Sequence, residues 1–195
     1  LVWTFHTVPR PGEPGHDTWE GESWKDRSGA NVWGHLTIDQ ERGLVFLPLG
    51  CATYDYYGGD RKGADLYGST LVALEAETGK LKWHFQTTHH DVWDYDLESA
   101  PVLIDVVRNG RTDAAVAQMT KQGLLFILDR TTGEPIHGVE ERPTPQHGFW
   151  PGDLPWPTQP FRVKPAPLAR NNFGPDEIAK VTPSHFEYCS ELLKK

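Results

Sequence analysis

The sequence predicts an all-β fold that ends in one short helix. Three observations carry that expectation. Short runs rich in Val, Ile, Leu and aromatic residues are broken at close intervals by Gly, Pro, Asn and Asp. A turn-plus-tryptophan pattern recurs along the chain, and a helical apolar spacing appears only in the last dozen residues.

Taken in order, residues 1–8 alternate, carry Trp3, Phe5 and Val8, and are stopped by Pro9-Arg10-Pro11-Gly12, which reads as a strand. The polar, Gly-rich chain around Trp19 and Trp24 predicts no element. Residues 35–39 and 44–49 form a predicted hairpin around Gln40-Glu41-Arg42-Gly43, followed by a Gly/Tyr/Asp-rich loop over 50–68. A second hairpin, 69–75 with 81–87, turns at Glu77-Thr78-Gly79-Lys80. Residues 101–107, 114–119 and 124–129 give three more strands, joined by Arg108-Asn109-Gly110 and Lys121-Gln122-Gly123. Prolines crowd residues 135–175, where no regular element is expected. Over 183–194, Ser184 with Glu187 fits a capping box, and Phe186, Cys189, Leu192 and Leu193 share one helical face suited to docking on the sheets.

Strands this short and this closely spaced suit a sandwich or a propeller. The repeat decides between them. Glu75-Ala76-Glu77-Thr78-Gly79-Lys80-Leu81-Lys82-Trp83 places an acid, a Thr-Gly turn and a Trp at fixed offsets. Asp129-Arg130-Thr131-Thr132-Gly133 repeats the acid and the Thr-Gly without the Trp, and Leu1-Val2-Trp3 resembles the tail of an earlier copy. Units whose Trp docks between neighbouring sheets stack radially, because no single sheet buries both of its faces alone. The expectation is a partial β-propeller over 1–195.

A formal charge of −8 leaves no basic patch to displace counterions, which excludes a nucleic-acid partner. No apolar stretch reaches the roughly 20 residues needed to span a bilayer. Cys51 and Cys189 form neither a CxxC nor a haem-attachment pattern, so no structural zinc or attached haem is expected; two free thiols are the commoner outcome, and a disulfide between them stays open. The missing initiator Met and the start at Leu1 suggest a fragment.

Three clusters carry side chains suited to chemistry. His89-His90-Asp91-Val92-Trp93-Asp94-Tyr95-Asp96 follows a predicted strand, so it lies in a loop at a sheet end. Its acids and imidazoles can bind a metal, act as a base or form a solvated loop; Trp93 favours burial, which raises a carboxyl pKa. Asn31-Val32-Trp33-Gly34 offers a Trp between small residues, either for sheet packing or as the floor for a flat ligand. Thr120-Lys121-Gln122-Gly123 sets a Lys at a turn, either solvated or directed into a site.

In these places the chain resembles the dehydrogenases that use pyrroloquinoline quinone, above all the membrane-bound quinoprotein glucose dehydrogenase group. The shared runs include Gly29-Ala30-Asn31-Val32-Trp33, Leu47-Pro48-Leu49-Gly50, Tyr57-Gly58-Gly59-Asp60-Arg61, Thr78-Gly79-Lys80-Leu81-Lys82-Trp83, His89-His90-Asp91-Val92-Trp93-Asp94, Lys121-Gln122-Gly123, Asp129-Arg130 and Thr158-Gln159-Pro160. The resemblance implies an eight-bladed propeller of which this chain holds the central blades. It implies Asp94 as catalytic base, Lys121 as the residue bonded to the quinone oxygens, Trp33 as the stacking floor and Asn31 as a further cofactor contact. It places Thr53 near a Ca²⁺ or Mg²⁺ held with Asp94, at a position where methanol-oxidising relatives carry Asn. The adjacent-cysteine pair of those relatives is absent. A sugar or alcohol substrate, a membrane quinone or cytochrome as electron acceptor, and a periplasmic location, with any membrane attachment outside this chain, follow from the same resemblance.

Two other classes compete. A non-catalytic propeller scaffold would share the Trp repeats but has no reason to hold an Asp, a Lys and a stacking Trp together. A metal hydrolase built on the paired His would need further ligands at a recognised spacing.

Overall fold

The computed structural model describes residues 1–147 and 150–194. Among these residues nine strands form three antiparallel sheets. Strands β1 (Thr37–Asp39), β2 (Leu44–Pro48), β3 (Thr70–Glu75) and β4 (Leu81–Gln86) form a four-stranded meander in that order. Strands β5 (Val102–Arg108), β6 (Arg111–Met119) and β7 (Leu125–Asp129) form a three-stranded meander, and β8 (Val139–Pro143) pairs with β9 (Thr158–Arg162). Helix α1 spans Pro183–Leu193.

The first sheet is buried on both faces, as its patterning demands. Leu44, Phe46, Leu71, Ala73 and Trp83 point to one side and meet Val116, Phe126 and Leu128 of the second sheet. Val45, Val72 and Leu74 alternate to the other side and pack with Leu49 and Tyr67. Alternation by two therefore serves two cores at once.

The repeat reads out as paired hydrogen bonds. Gly79 N donates to Glu75 O at 2.8 Å, and Gly133 N donates to Asp129 O at 2.9 Å, so both Thr-Gly turns close in the same way. Trp3 Nε1 donates to Ala76 O at 3.0 Å, and Trp83 Nε1 to Arg130 O at 2.9 Å. Each acceptor directly follows the turn's acid. Each ring covers the turn glycine: a Cβ on Gly79 would lie 2.4 Å from the Trp3 ring, and one on Gly133 would lie 2.7 Å from the Trp83 ring. Arg130 adds a charged tie, its guanidinium reaching the buried Asp39 at 3.4 Å and Asp105 at 3.1 Å.

Four expectations are corrected. Residues 1–8 form no strand; Trp3 and Phe5 instead lie as side-chain anchors against the second core cluster, without a backbone ladder. The Pro-rich stretch does hold a regular element, the β8–β9 hairpin. It tolerates Pro143 and Pro160 because the two strands pair only with each other. Helix α1 is capped one residue before its first turn, where the Thr182 hydroxyl accepts from His185 N at 3.1 Å, so Ser184 and Glu187 form no capping box. None of its residues is buried, so its apolar face does not enter the core.

Candidate active site

Strands β2, β4 and β6 end at the same edge of their sheets, and their following loops carry the candidate residues. Asp94 lies in the loop after β4, and Lys121 in the turn between β6 and β7. Trp33 and Asn31 precede β1, while Cys51, Thr53, Asp55 and Tyr56 lie after β2.

The structure brings Asp94 and Lys121 together: Lys121 Nζ lies 2.9 Å from Asp94 Oδ2. The same ammonium is 3.5 Å from Glu98 and 3.9 Å from Asp96. Tyr56 Oη donates to Asp94 Oδ2 at 3.3 Å, and the Cys51 thiol lies 3.7 Å from Asp94 Oδ1. Asp96 accepts from Cys51 N at 2.7 Å, tying the two loops by a charged bond.

Several carboxylates face one ammonium, and the electrostatics follow. Burial pushes the Asp94 carboxyl upward, but the bonds from Lys121 and Tyr56 outweigh it and hold Asp94 below the usual carboxylate range. Asp96 is raised by burial and by the charge of Asp94. The bond to Asp94 raises Lys121. Burial, with Asp91, Asp96 and Asp55 around it, pushes the Cys51 thiol well above its ordinary value, so it stays protonated.

Trp33 is 55% exposed. It stands beside Gly50, where an added Cβ would meet Asp96 Oδ1 at 2.7 Å and Trp33 Nε1 at 3.1 Å. Only glycine lets these groups approach so closely. Asn31 contributes its carbonyl, which accepts from Gly50 N at 3.1 Å. A cavity of about 690 Å³ opens at Lys121, lined also by Trp93, Tyr95, Gln122 and Phe161 among others. The Trp93 and Tyr95 rings stack there, with centroids 5.7 Å apart.

Thr53 lies in the loop after β2, next to this cluster in sequence. Its hydroxyl accepts from Ser28 N at 3.0 Å, as part of the pairing of residues 28–30 with 51–53. Asp55 is the group brought beside Asp94: ligand atoms of Cys51, Asp55 and Asp94 all lie within 4.8 Å of one another. Nothing in the 50–68 loop marks Asp55 or Cys51 in the sequence. Asp94, Asp96 and Glu98 do carry a signal in the sequence, three acids at alternate positions, and all three reach Lys121.

The paired imidazoles serve packing. His89 is 2.7 Å from Gln86 Oε1, and its backbone exchanges two bonds with the Gln159 side chain. His90 is buried, with Nδ1 at 2.8 Å from Gly63 O and 3.0 Å from Asp65. A hydrolytic metal centre on these two residues has no further support among the described residues.

A profile for the β-propeller domain of the PQQ (pyrroloquinoline quinone) glucose/ethanol/alcohol dehydrogenases matches residues 1–195. The chain belongs to this family. Within it, the glycerol dehydrogenase large subunit of Gluconobacter thailandicus is 44% identical over 150 residues, covering 76% of this chain and 20% of that protein. The quinate/shikimate dehydrogenase (quinone) of Acinetobacter baylyi is 37% identical over 185 residues, covering 94% of this chain and 22% of that protein. A europium-containing methanol dehydrogenase of known structure superimposes with a TM-score of 0.59 at 27% identity, covering 78% of this chain and 26% of that one. The chain thus spans about a fifth of the length of the curated relatives it matches. The quinoprotein family places this all-β segment in a propeller.

Proposed function

We propose that this segment supplies the catalytic side of a pyrroloquinoline quinone-dependent dehydrogenase that oxidises a sugar or alcohol hydroxyl. The observation that carries the reading is the 2.9 Å Lys121–Asp94 contact, with Lys121 also lining an open cavity.

The residues suit the groups this chemistry needs. A flat, anionic cofactor finds a ring to lie on in Trp33 and a mobile cation in Lys121. A hard divalent ion such as Ca²⁺ or Mg²⁺ takes oxygen ligands, which Asp94 and Asp55 provide, while the protonated Cys51 thiol only lines the site. When bound, the quinone supplies the hydride acceptor and the ion its Lewis acidity.

Asp94 would remove the proton of the substrate hydroxyl as general base. Paired with Lys121 it is a weak base, because the ammonium stabilises its charge. Lys121 has three donors and reaches three carboxylates, so it can turn towards quinone oxygens and stabilise charge building there. That turn would take away the ammonium, which lowers the Asp94 carboxyl most, and its loss raises the basicity of Asp94. Trp33 fixes the plane of approach, and the rings of Trp93 and Tyr95 shield the hydroxyl from water.

The relatives' names support a hydroxyl donor as substrate: glycerol, quinate, shikimate and methanol, named for those proteins, all carry one. A membrane quinone or a cytochrome is the acceptor this reading assigns, in the periplasm, with any membrane attachment outside this segment. A non-catalytic scaffold would leave the Asp94–Lys121–Trp33 arrangement without a purpose.

The test loads the whole protein with pyrroloquinoline quinone and Ca²⁺ and follows an artificial electron acceptor with several sugars and alcohols. Asp94→Asn is expected to lower turnover by about 10²- to 10⁴-fold, with cofactor affinity retained. Wild-type turnover in that variant removes the base assignment. Failure of the unmutated protein to bind the quinone ends the enzymatic reading altogether.

A further inference from the structure

We propose that Asp91 is the positioning residue for Asp94, a role that rests on the reading of Asp94 as the base. One buried carboxylate grips the chain on both sides of Asp94. Asp91 Oδ1 accepts from Trp93 N at 2.9 Å, and Oδ2 accepts from Tyr95 N at 2.8 Å. Ser69 Oγ donates to the same Oδ2 at 2.5 Å, joining the loop to the start of β3. Asp91 is only 3% exposed and does not itself line the cavity; it holds Trp93 and Tyr95, which do, by their backbone amides.

Asp94 needs such a grip because its backbone is in the left-handed region, with φ 62°. Residues with a Cβ adopt that conformation sparingly, and Asp does so where local bonds hold it. An isolated loop would relax to a right-handed or extended conformation and swing the carboxylate away from Lys121. With the amides of residues 93 and 95 both held, the residue between them has little room to relax.

The grip is itself anchored from behind. Arg61 Nη2 donates to the Asp91 carbonyl at 2.6 Å, and Arg61 Nη1 to Asp65 at 2.5 Å, both in the interior. Arg61 and Asp65 are essentially inaccessible to water. Removing either partner of a buried charge pair of this kind is costly, because the other charge is left uncompensated. Arg61 thus holds the Asp91 backbone, and the Asp91 carboxylate holds the amides on either side of Asp94.

Asparagine at 91 conserves volume but offers one acceptor and an NH₂ in place of two acceptors. It therefore keeps one of the two amide bonds and sets a donor against the other. The experiment uses the whole protein loaded with pyrroloquinoline quinone and Ca²⁺, comparing Asp91→Asn, Ser69→Ala, Asp94→Asn and Asp91→Asn/Asp94→Asn. Asp91→Asn is expected to lower kcat by about 10- to 100-fold, the scale of a misplacement near 1 Å, with KM and cofactor affinity close to wild type. The double variant should be no slower than Asp94→Asn alone, because the effect passes through Asp94. Hydrogen exchange should rise in peptides spanning 89–97 and remain unchanged in β2 and β3.

Wild-type kcat in Asp91→Asn, or a double variant slower by the full single-variant factor, overturns the positioning role. Full turnover in Asp94→Asn sinks the base assignment instead, and the exchange measurement then decides the anchoring alone. Unchanged protection at residues 93 and 95 would overturn it. If Asp91→Asn does not accumulate folded, Ser69→Ala reads the same split with a smaller loss of kcat, and wild-type kcat there counts against the role.

Discussion

Substituting Gly133 with Ala tests whether the Trp83 ring locks the first sheet to the second. The new Cβ would lie 2.7 Å from two ring carbons and 3.0 Å from a third. Carbon pairs prefer about 3.5–4.0 Å, so the ring or the turn must shift by close to 1 Å. Overpacking of this kind costs roughly 1–3 kcal/mol. The backbone adds its own penalty, because Gly133 has φ 76° and a Cβ there costs about 1–2 kcal/mol. Gly43→Ala provides the control, with φ 62° and nothing within 4 Å of the added atom. Its cost should stop at the backbone term. Urea unfolding of the whole protein, followed by tryptophan fluorescence, should place Gly133→Ala about 1–3 kcal/mol below Gly43→Ala. Equal costs for the two variants would refute the ring as a lock.

Other outcomes follow from the buried charges and from the helix. Burial pushes the Asp39 carboxyl up, but bonds from Arg42 and Arg130 outweigh it and hold the group below the usual aspartate range. Its stabilisation is present above the unfolded value of about 3.9 and is lost as pH falls through the lower folded value. Thermal midpoints of Asp39→Asn should therefore fall less steeply in acid than those of the wild type; an identical slope would remove Asp39 from the account. Arg61→Met leaves the Asp91 carbonyl without its buried donor and Asp65 with His90 alone and should cost about 3–5 kcal/mol of stability in urea, whereas a loss under 1 kcal/mol would show that His90 suffices for Asp65. Thr182→Ala removes the cap of α1, a loss of about 0.5–2 kcal/mol to that helix. Because α1 buries no residue, proteolysis within 183–193 should quicken while the global unfolding midpoint stays put.

The strands of the first two sheets were legible because alternation and turn residues coincide, as in residues 69–87. Residues 1–8 carry the same alternation yet pair with nothing, since periodicity reports which side chains are buried and not whether a neighbouring strand exists. The β8–β9 hairpin was hidden for the opposite reason: prolines mask strand signals, although an isolated pair has spare edges for them. At the site, resemblance singled out Asp94, Lys121 and Trp33, and spacing alone would have left each with a bland reading. Asp55, Tyr56 and Cys51 reach Asp94 by long-range folding of the 50–68 loop, which leaves no local pattern. Asp91 looked like one acid among several, and only its three donors distinguish it.

The Trp83 clasp also sets an order of events on the ribosome. The indole and the carbonyl that receives it are 47 residues apart, and the clasp of Trp3 spans 73. At about 5–20 residues per second, Trp83 emerges roughly 2–10 seconds before its partner. During that interval the face of the first sheet that carries Leu44, Phe46 and Leu71 has nothing to cover it. Each sheet of such a chain is finished only by the next one made, so the nascent protein always carries one sticky surface at its growing end. Chaperone demand should then follow translation speed across the 84–133 stretch, and a pause there would prolong exposure, not relieve it.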